Sequence, residues 1–362
     1  MQSLRLALLG AFAFPAPLGS QRFFAGQASA LRAEGAEVER FTYAAEGLTL
    51  RGLDPRKLPA DRALGRALLA AHCAGRFDAV LAHNAEATLL ALSLRRRLGI
   101  PVVYVAHTLW AEELETWLAP RLAPAARAAG HALDRSLARR ADAVIVLCEA
   151  AHRALAPEAN GPSACIAPGH SPEPAPPADA VAGACARHGF VRDTFALYAG
   201  NLDRYQGLDV LDAAASEPGL PIVVATHQAG HTRFQNLRVI ELRSTDEARC
   251  LLHGAAVAVL PRRSQGGFPI KLLHSMEAGR AIVARSHVAD TLAHGESGWL
   301  LADDAGPGDF AGAIRSLATN AALRARLGAG ARLALATHHA WPARAAETLA
   351  LVRAALGARS RR

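Results

Sequence analysis

Residues 261–279 read PRRSQGGFPIKLLHSMEAG and follow the apolar run VAVL. An unbroken apolar run of this kind is a strand buried on both faces. Pro269 suits the first position of a helix, where its fixed φ fits and its missing N–H is not needed. Leu272, Leu273 and Met276 then form one apolar stripe, and Gly279 closes the helix. Arg262, Arg263 and Lys271 therefore gather at a helix start. Cations are disfavoured there by about 0.3–1 kcal/mol. An anion bound at the free N–H groups reverses that sign, and Gly266 and Gly267 would let it approach the backbone. A diphosphate fits this chemistry. So would three solvated charges beside an ordinary strand–loop–helix.

Further candidates lie in the first half. His83 and His107 each end an apolar run, in VLAHNAEA and VVYVAHTLWAEEL. Side chains at strand ends reach the ligand crevice of an open α/β sheet; local backbone groups could equally satisfy such a histidine. Glu112 and Glu113 could meet an acceptor hydroxyl, although the first turn of a helix is the better reading. Gly19, Ser20 and Gln21 open a helix after the first apolar run and could hold a phosphate or a sugar hydroxyl. They lack GxGxxG spacing, so a dinucleotide fingerprint is absent.

The elements that must position these residues alternate in type. Strand-like runs fall at 4–9, 37–43, 79–82, 101–106 and 143–147, with helical stretches at 21–33, 58–74, 86–98 and 125–140. The first run reads as a buried strand rather than a signal peptide. A second series follows at 195–199, 208–215, 221–225, 239–242, 255–260, 270–278 and 281–284. Between them PGHSPEPAPP cannot continue a helix or a central strand. Repetition of βα units gives doubly wound sheets. The expected boundaries are an N-terminal domain over 1–168 completed by a helix at 341–358, a linker over 169–184, and a C-terminal domain over 185–340.

Composition narrows the partners. A net charge of +8 favours anionic ligands, but no basic stretch is interleaved with stacking aromatics, which argues against nucleic acid. Five cysteines without a CxxC read as buried thiols of a reducing compartment, and give no zinc site. No run is long and apolar enough to span a bilayer. The clusters 95–97 and 139–140, all arginine, would suit an anionic membrane surface or a solvated helix end.

The loop and helix at 266–279 resemble the donor signature E-G-F-G-x-x-x-x-E-A-M-x-x-G of family-4 retaining glycosyltransferases, the glycosyl transferases group 1, through Gly266, Gly267, Phe268, Pro269, His274, Ser275, Met276 and Gly279. FALYAGNLDRYQGLDVL, RRADAVIVL, GESGWLL and PLGSQRFFAGQASALRAEGAEV resemble further stretches of that family, so the likeness runs over nearly the whole chain. The family's two signature glutamates fall on Gly266 and His274, and its basic pair on Asn201 and Gln206. None of those roles carries over unchanged. Tyr205-Gln206-Gly207 together with Arg262…Pro269-Ile270-Lys271-Leu272 resembles a sub-group lacking the usual glutamates.

The resemblance implies a GT-B fold, an α/β architecture of two Rossmann-like domains facing across a cleft. It implies a cytoplasmic, hexosyltransferase-type enzyme, peripheral at the inner membrane face if its acceptor is lipid-linked. Such an enzyme moves a sugar from a nucleoside diphosphate sugar to a glycan or lipid-linked acceptor, with retention and without a metal or other cofactor. Lys271 with Arg262 or Arg263 would replace the missing basic pair, His274 would meet the ribose, and His107 would position the donor sugar. The rival expectations are a GT-B nucleotide-sugar epimerase or hydrolase, and a non-catalytic partner of the same fold.

Overall fold

Short runs of Val, Ile, Leu and Ala become parallel strands covered on both faces. The computed structural model describes residues 3–15, 19–43, 54–118, 120–228 and 233–360. It divides into two units. The first unit takes Met1–Ser171, Gln265–Phe268 and His339–Arg362. Its strands are β1 (Arg5–Ala13), β2 (Glu37–Tyr43), β3 (Ala79–His83), β4 (Val102–Ala106), β5 (Ala143–Val146) and β6 (Ser163–Cys165). They form one parallel sheet in the order β2-β1-β3-β4-β5-β6. Every residue of β3 and β4 is buried. In register, Leu8 lies opposite Leu81 and Leu81 opposite Val103, so the apolar runs stack across the sheet. The order reverses between β1 and β3, which makes the carboxyl ends of those strands the place for a ligand.

The helix Gly19–Ala33 follows β1, and the helix Trp341–Arg359 packs against it. Trp341 stacks on Phe23 with ring centroids 5.9 Å apart. The helix expected over 86–98 is two helices, Asn84–Ser93 and Arg95–Leu98. The second closes on Gly99 in the left-handed conformation, φ 66°. Residues 16–18 lie outside the described residues.

The second unit takes Pro172–Ser264 and Pro269–His338. Its strands are β7 (Ala196–Ala199), β8 (Ile222–Thr226), β9 (Arg238–Glu241), β10 (Val257–Leu260), β11 (Ala281–Arg285) and β12 (Trp299–Leu301). They are parallel in the order β12-β11-β10-β7-β8-β9, with the reversal between β7 and β10. Tyr198, Leu272, Met276 and Phe310 are buried around this sheet.

Two local expectations are corrected. The sequence expects the linker to run to residue 184, but a helix occupies Ala178–Arg187. The prolines stop at Pro177, and beyond them Val181, Ala184 and Cys185 supply a buried stripe at helical spacing. Pro269 is the cap residue at φ −82° and ψ 104°, and Ile270 is the first helical residue. Among the cysteines, Cys148, Cys185 and Cys250 are buried as expected, whereas Cys73 is exposed.

Candidate donor site and histidine pair

In the second unit, β7 and β10 are hydrogen-bonded neighbours. The loop after β7 carries Gly200, Asn201 and Asp203, then Tyr205, Gln206 and Gly207. The loop after β10 carries Arg262 and leads to the helix Ile270–Ala278 with Lys271 in its first turn. The topology thus sets Lys271 beside the β7 loop, and hydrogen bonds fix it there. Lys271 Nζ donates to the Tyr198 hydroxyl at 2.6 Å and to Gln206 Oε1 at 3.1 Å. It also lies 4.2 Å from the Tyr198 ring centroid. Gln206 Nε2 donates to Asn201 Oδ1 at 2.7 Å, and Asn201 Nδ2 donates to Asp203 at 2.6 Å and to the Tyr205 hydroxyl at 3.1 Å. Tyr198 completes the circuit by donating to the Asn201 carbonyl.

One cation therefore stands in a polar circuit of neutral groups, with one carboxylate at its far end. Burial, then the nearby Arg262, push the Lys271 ammonium well below its usual range, and Asp203 acts in the other direction. Arg262 is only 8 % exposed. Its guanidinium donates to the Ser264 carbonyl and hydroxyl at 3.1 Å and lies over the Tyr205 ring. Gly200 has φ +155°, a conformation that L side chains rarely adopt, and a Cβ there would fall 2.5 Å from Lys271 Nζ and 3.1 Å from the Tyr198 hydroxyl.

Several expected residues are brought to this circuit and others are not. Lys271, Gln206, Asn201 and Arg262 come together. Arg263 instead turns to the surface and pairs with Asp209 at 2.6 Å. His274 lies one turn along the same helix, half-buried. Gly266, Gly267 and Phe268 are counted with the first unit. There Leu109 N donates to the Gly266 carbonyl at 2.9 Å, and Thr108 bridges Gly267 in antiparallel fashion. A Cβ on Gly266 would fall 2.8 Å from Leu109 side-chain atoms. Phe268 packs near His339.

Residues that sequence reasoning passed over also shape this site. Tyr198, Gly200 and Asp203 lie beside Tyr205 in the FALYAGNLDRYQG stretch, where the family resemblance is the only signal. His287 Nε2 bonds the Arg262 carbonyl at 3.1 Å while its Nδ1 meets Asp303 at 2.8 Å. Arg285 Nε donates to the Pro261 carbonyl at 3.2 Å. These two side chains hold the backbone on which Arg262 is mounted.

In the first unit, His83 ends β3 and His107 follows β4. His83 Nδ1 and His107 Nε2 are 2.8 Å apart. His83 is fully buried and His107 is 7 % exposed. Burial pushes the His107 imidazole down to about 3, and burial followed by the neighbouring His107 pushes His83 well below its usual value. Both rings are therefore neutral at ordinary pH. Asn84, at φ 69°, accepts the His107 backbone N–H on its side-chain oxygen at 3.3 Å. The helix Trp110–Trp117 begins three residues on, with Glu112 and Glu113 in its first turn. Glu112 accepts from Gln265 N at 3.1 Å. Asp134 caps this helix, accepting from Trp110 N and Ala111 N at 3.2 and 3.1 Å. Gly19 and Ser20 open their helix, and the Ser20 hydroxyl donates to Gln21 Oε1 at 2.8 Å.

The arginine clusters meet in one recess of this unit, lined by Arg95, Arg139, Arg140 and Arg359. Arg139, Arg140 and Arg359 sit at the C-terminal ends of their helices, where a cation offsets the dipole, and Arg95 opens the short helix Arg95–Leu98. Arg95 pairs with Asp142, and Arg139 with Glu158. No described helix is long and apolar enough to cross a membrane.

Residues 19–168 match the Glycosyl transferase 4-like domain, and residues 193–320 match Glycosyl transferases group 1. No curated protein matches the chain. Among solved structures, a sucrose-phosphate synthase from Thermosynechococcus elongatus is similar at a TM-score of 0.77 and 18 % identity, over 98 % of this chain and 100 % of that one. HepE from Anabaena, solved with UDP and glucose, gives 0.72 and 15 %, over 96 % and 99 %. A glycosyltransferase from Rickettsia africae gives 0.71 and 10 %, over 98 % and 99 %. At these identities the likeness shows the fold. With a glycosyltransferase domain matched in each unit and two parallel six-stranded sheets beneath them, the chain is a glycosyltransferase of the GT-B fold.

Proposed function

We propose that this enzyme transfers a sugar from a nucleoside diphosphate sugar to a hydroxyl of a glycan or lipid-linked acceptor, with retention at the anomeric carbon. The observation that carries this reading is Lys271, held by Tyr198 and Gln206 at the switch point between β7 and β10. A diphosphate bound there would take charge-assisted hydrogen bonds from Lys271 and Arg262 and backbone N–H groups from the start of the helix Ile270–Ala278. Negative charge grows on the leaving diphosphate as the glycosidic bond breaks, and donors already in place stabilise it without reorganising. In this reading the two side chains supply the positive charge, so no metal is required. His274 would bond a ribose hydroxyl, and His107 would position the sugar. HepE, of the same fold, has been solved with UDP-glucose, which supports a nucleotide sugar as the donor class.

Thermal melts with a panel of nucleoside diphosphates and their sugars test the reading directly. One base should stabilise the chain, and Lys271→Ala should weaken that ligand by about 10–100-fold, the worth of a hydrogen bond to a charged group. A Lys271→Ala protein that binds nucleotide as tightly as the parent would sink the donor-site assignment. No shift with any nucleotide would favour a non-catalytic protein of this fold.

A further inference from the structure

The histidine pair of the first unit contains more than one functional group needs. Two neutral imidazoles 2.8 Å apart share a single proton in the bond between them. Whichever ring donates, His107 Nε2 is consumed by His83, and Nδ1 is the nitrogen that His107 has left. Among the described residues, neither His107 Nδ1 nor His83 Nε2 has a hydrogen-bond partner.

The direction of donation follows from where an unpaired N–H is less costly. If His107 donates, the spare N–H lies on His83 Nε2. His83 has no exposed surface, and its ring is packed against the rings of Phe23 and Phe24, at 5.9 and 4.7 Å between centroids. An N–H left unpaired in such surroundings bears its full desolvation penalty. If His83 donates, the spare N–H lies on His107 Nδ1; that atom is buried as well and its ring meets Phe23 at 5.0 Å, but it faces one aromatic ring rather than two, in a residue that keeps 7 % exposure and follows the carboxyl end of β4. That is the side of the sheet on which ligands of open α/β folds are met.

We propose that His83 is the positioning residue of His107: its Nδ1–H donates to His107 Nε2, fixes the orientation and tautomer of that ring, and leaves His107 Nδ1–H as the one donor offered to an oxygen of the bound sugar. The backbone bond from His107 N to Asn84, the residue after His83, holds the same pair from a second side. The inference rests on the proposed function only for the identity of the acceptor oxygen. The tautomer stands on the geometry of the first unit.

The experiment is a nitrogen-15 spectrum of the full chain labelled at histidine, with the His83 and His107 rings assigned by His83→Asn and His107→Gln. His107 should show a protonated Nδ1 and a bare Nε2 in the wild type. His107 with Nε2 protonated would overturn the proposal. Kinetics of two His83 variants complete the test. An Asn amide reaches about as far as Nδ1 and donates, so His83→Asn should keep activity within about threefold. His83→Phe has no donor and should lose about 100-fold in kcat, the effect of a misplaced group, with the KM for nucleotide sugar little changed. A His83→Phe protein of native stability and unaltered kcat would refute the role, as would a folded His83→Asn protein as impaired as His83→Phe. Should Lys271→Ala leave nucleotide binding intact, the donor reading falls and the tautomer result is untouched.

Discussion

Lys271 is a cation placed where a cation is unwelcome. It stands at the positive end of a helix, with Arg262 near it and burial against its charge. A bound diphosphate removes all three objections. The ammonium should therefore gain proton occupancy when the ligand arrives. Calorimetry of nucleoside diphosphate binding, in buffers of different ionisation enthalpy above neutral pH, should show proton uptake that disappears in Lys271→Ala; equal heats in all buffers would contradict it. The histidine pair links protons to folding rather than to ligand binding. Free imidazoles titrate near 6.5, whereas folded His107 is held at about 3 and His83 well below 6.5. Between those values the unfolded chain binds more protons, so stability is intact above about pH 6.5 and falls as pH drops toward 3. Urea melts should show this slope, and His107→Gln should flatten it. An unaltered slope would show that the pair is not the source.

At the scale of elements, the helix Trp110–Trp117 begins just after His107, so whatever fixes its start also fixes the loop bearing that residue. Asp134 does so from the helix Ala123–Arg140, with its buried carboxylate on two backbone N–H groups. Asp134→Ala leaves those donors unpaired and should cost about 1–3 kcal/mol. Chemical denaturation measures it, and a loss below a few tenths would mean the cap is not holding the turn. Much at this scale was legible in the chain. Val-rich runs gave β4 and β10, Gly279 gave a helix end in the left-handed conformation, and a histidine after an apolar run gave a strand end. Capping chemistry was legible but passed over: Ser244, three residues before Glu247, accepts that residue's N–H at the start of Thr245–Gly254. The circuit around Lys271 was not legible. Tyr198 and Lys271 are 73 residues apart, and spacing along a chain says nothing about which side chains a sheet will bring together. For the same reason Arg262 and Arg263 looked equivalent, although one is buried and the other is paired with Asp209 on the surface.

At the scale of the whole molecule, chain order and unit membership disagree. The helix Trp341–Arg359 belongs to the unit built from the first residues, and buries Ala345, Leu349, Leu351, Val352 and Ala355. His339 joins it there, accepting His170 N on its carbonyl at 2.8 Å. Deleting residues 341–362 should destabilise the first unit by on the order of 5 kcal/mol, given about 1.5–3 kcal/mol for each large apolar side chain lost from burial. The readout is the melting transition of that unit, and an undisturbed transition would count against this packing. Domains emerging from a ribosome ordinarily fold in the order they are made. Here the earliest strands must wait for a helix that is translated after the second unit is complete, so the half of the enzyme begun first is finished last.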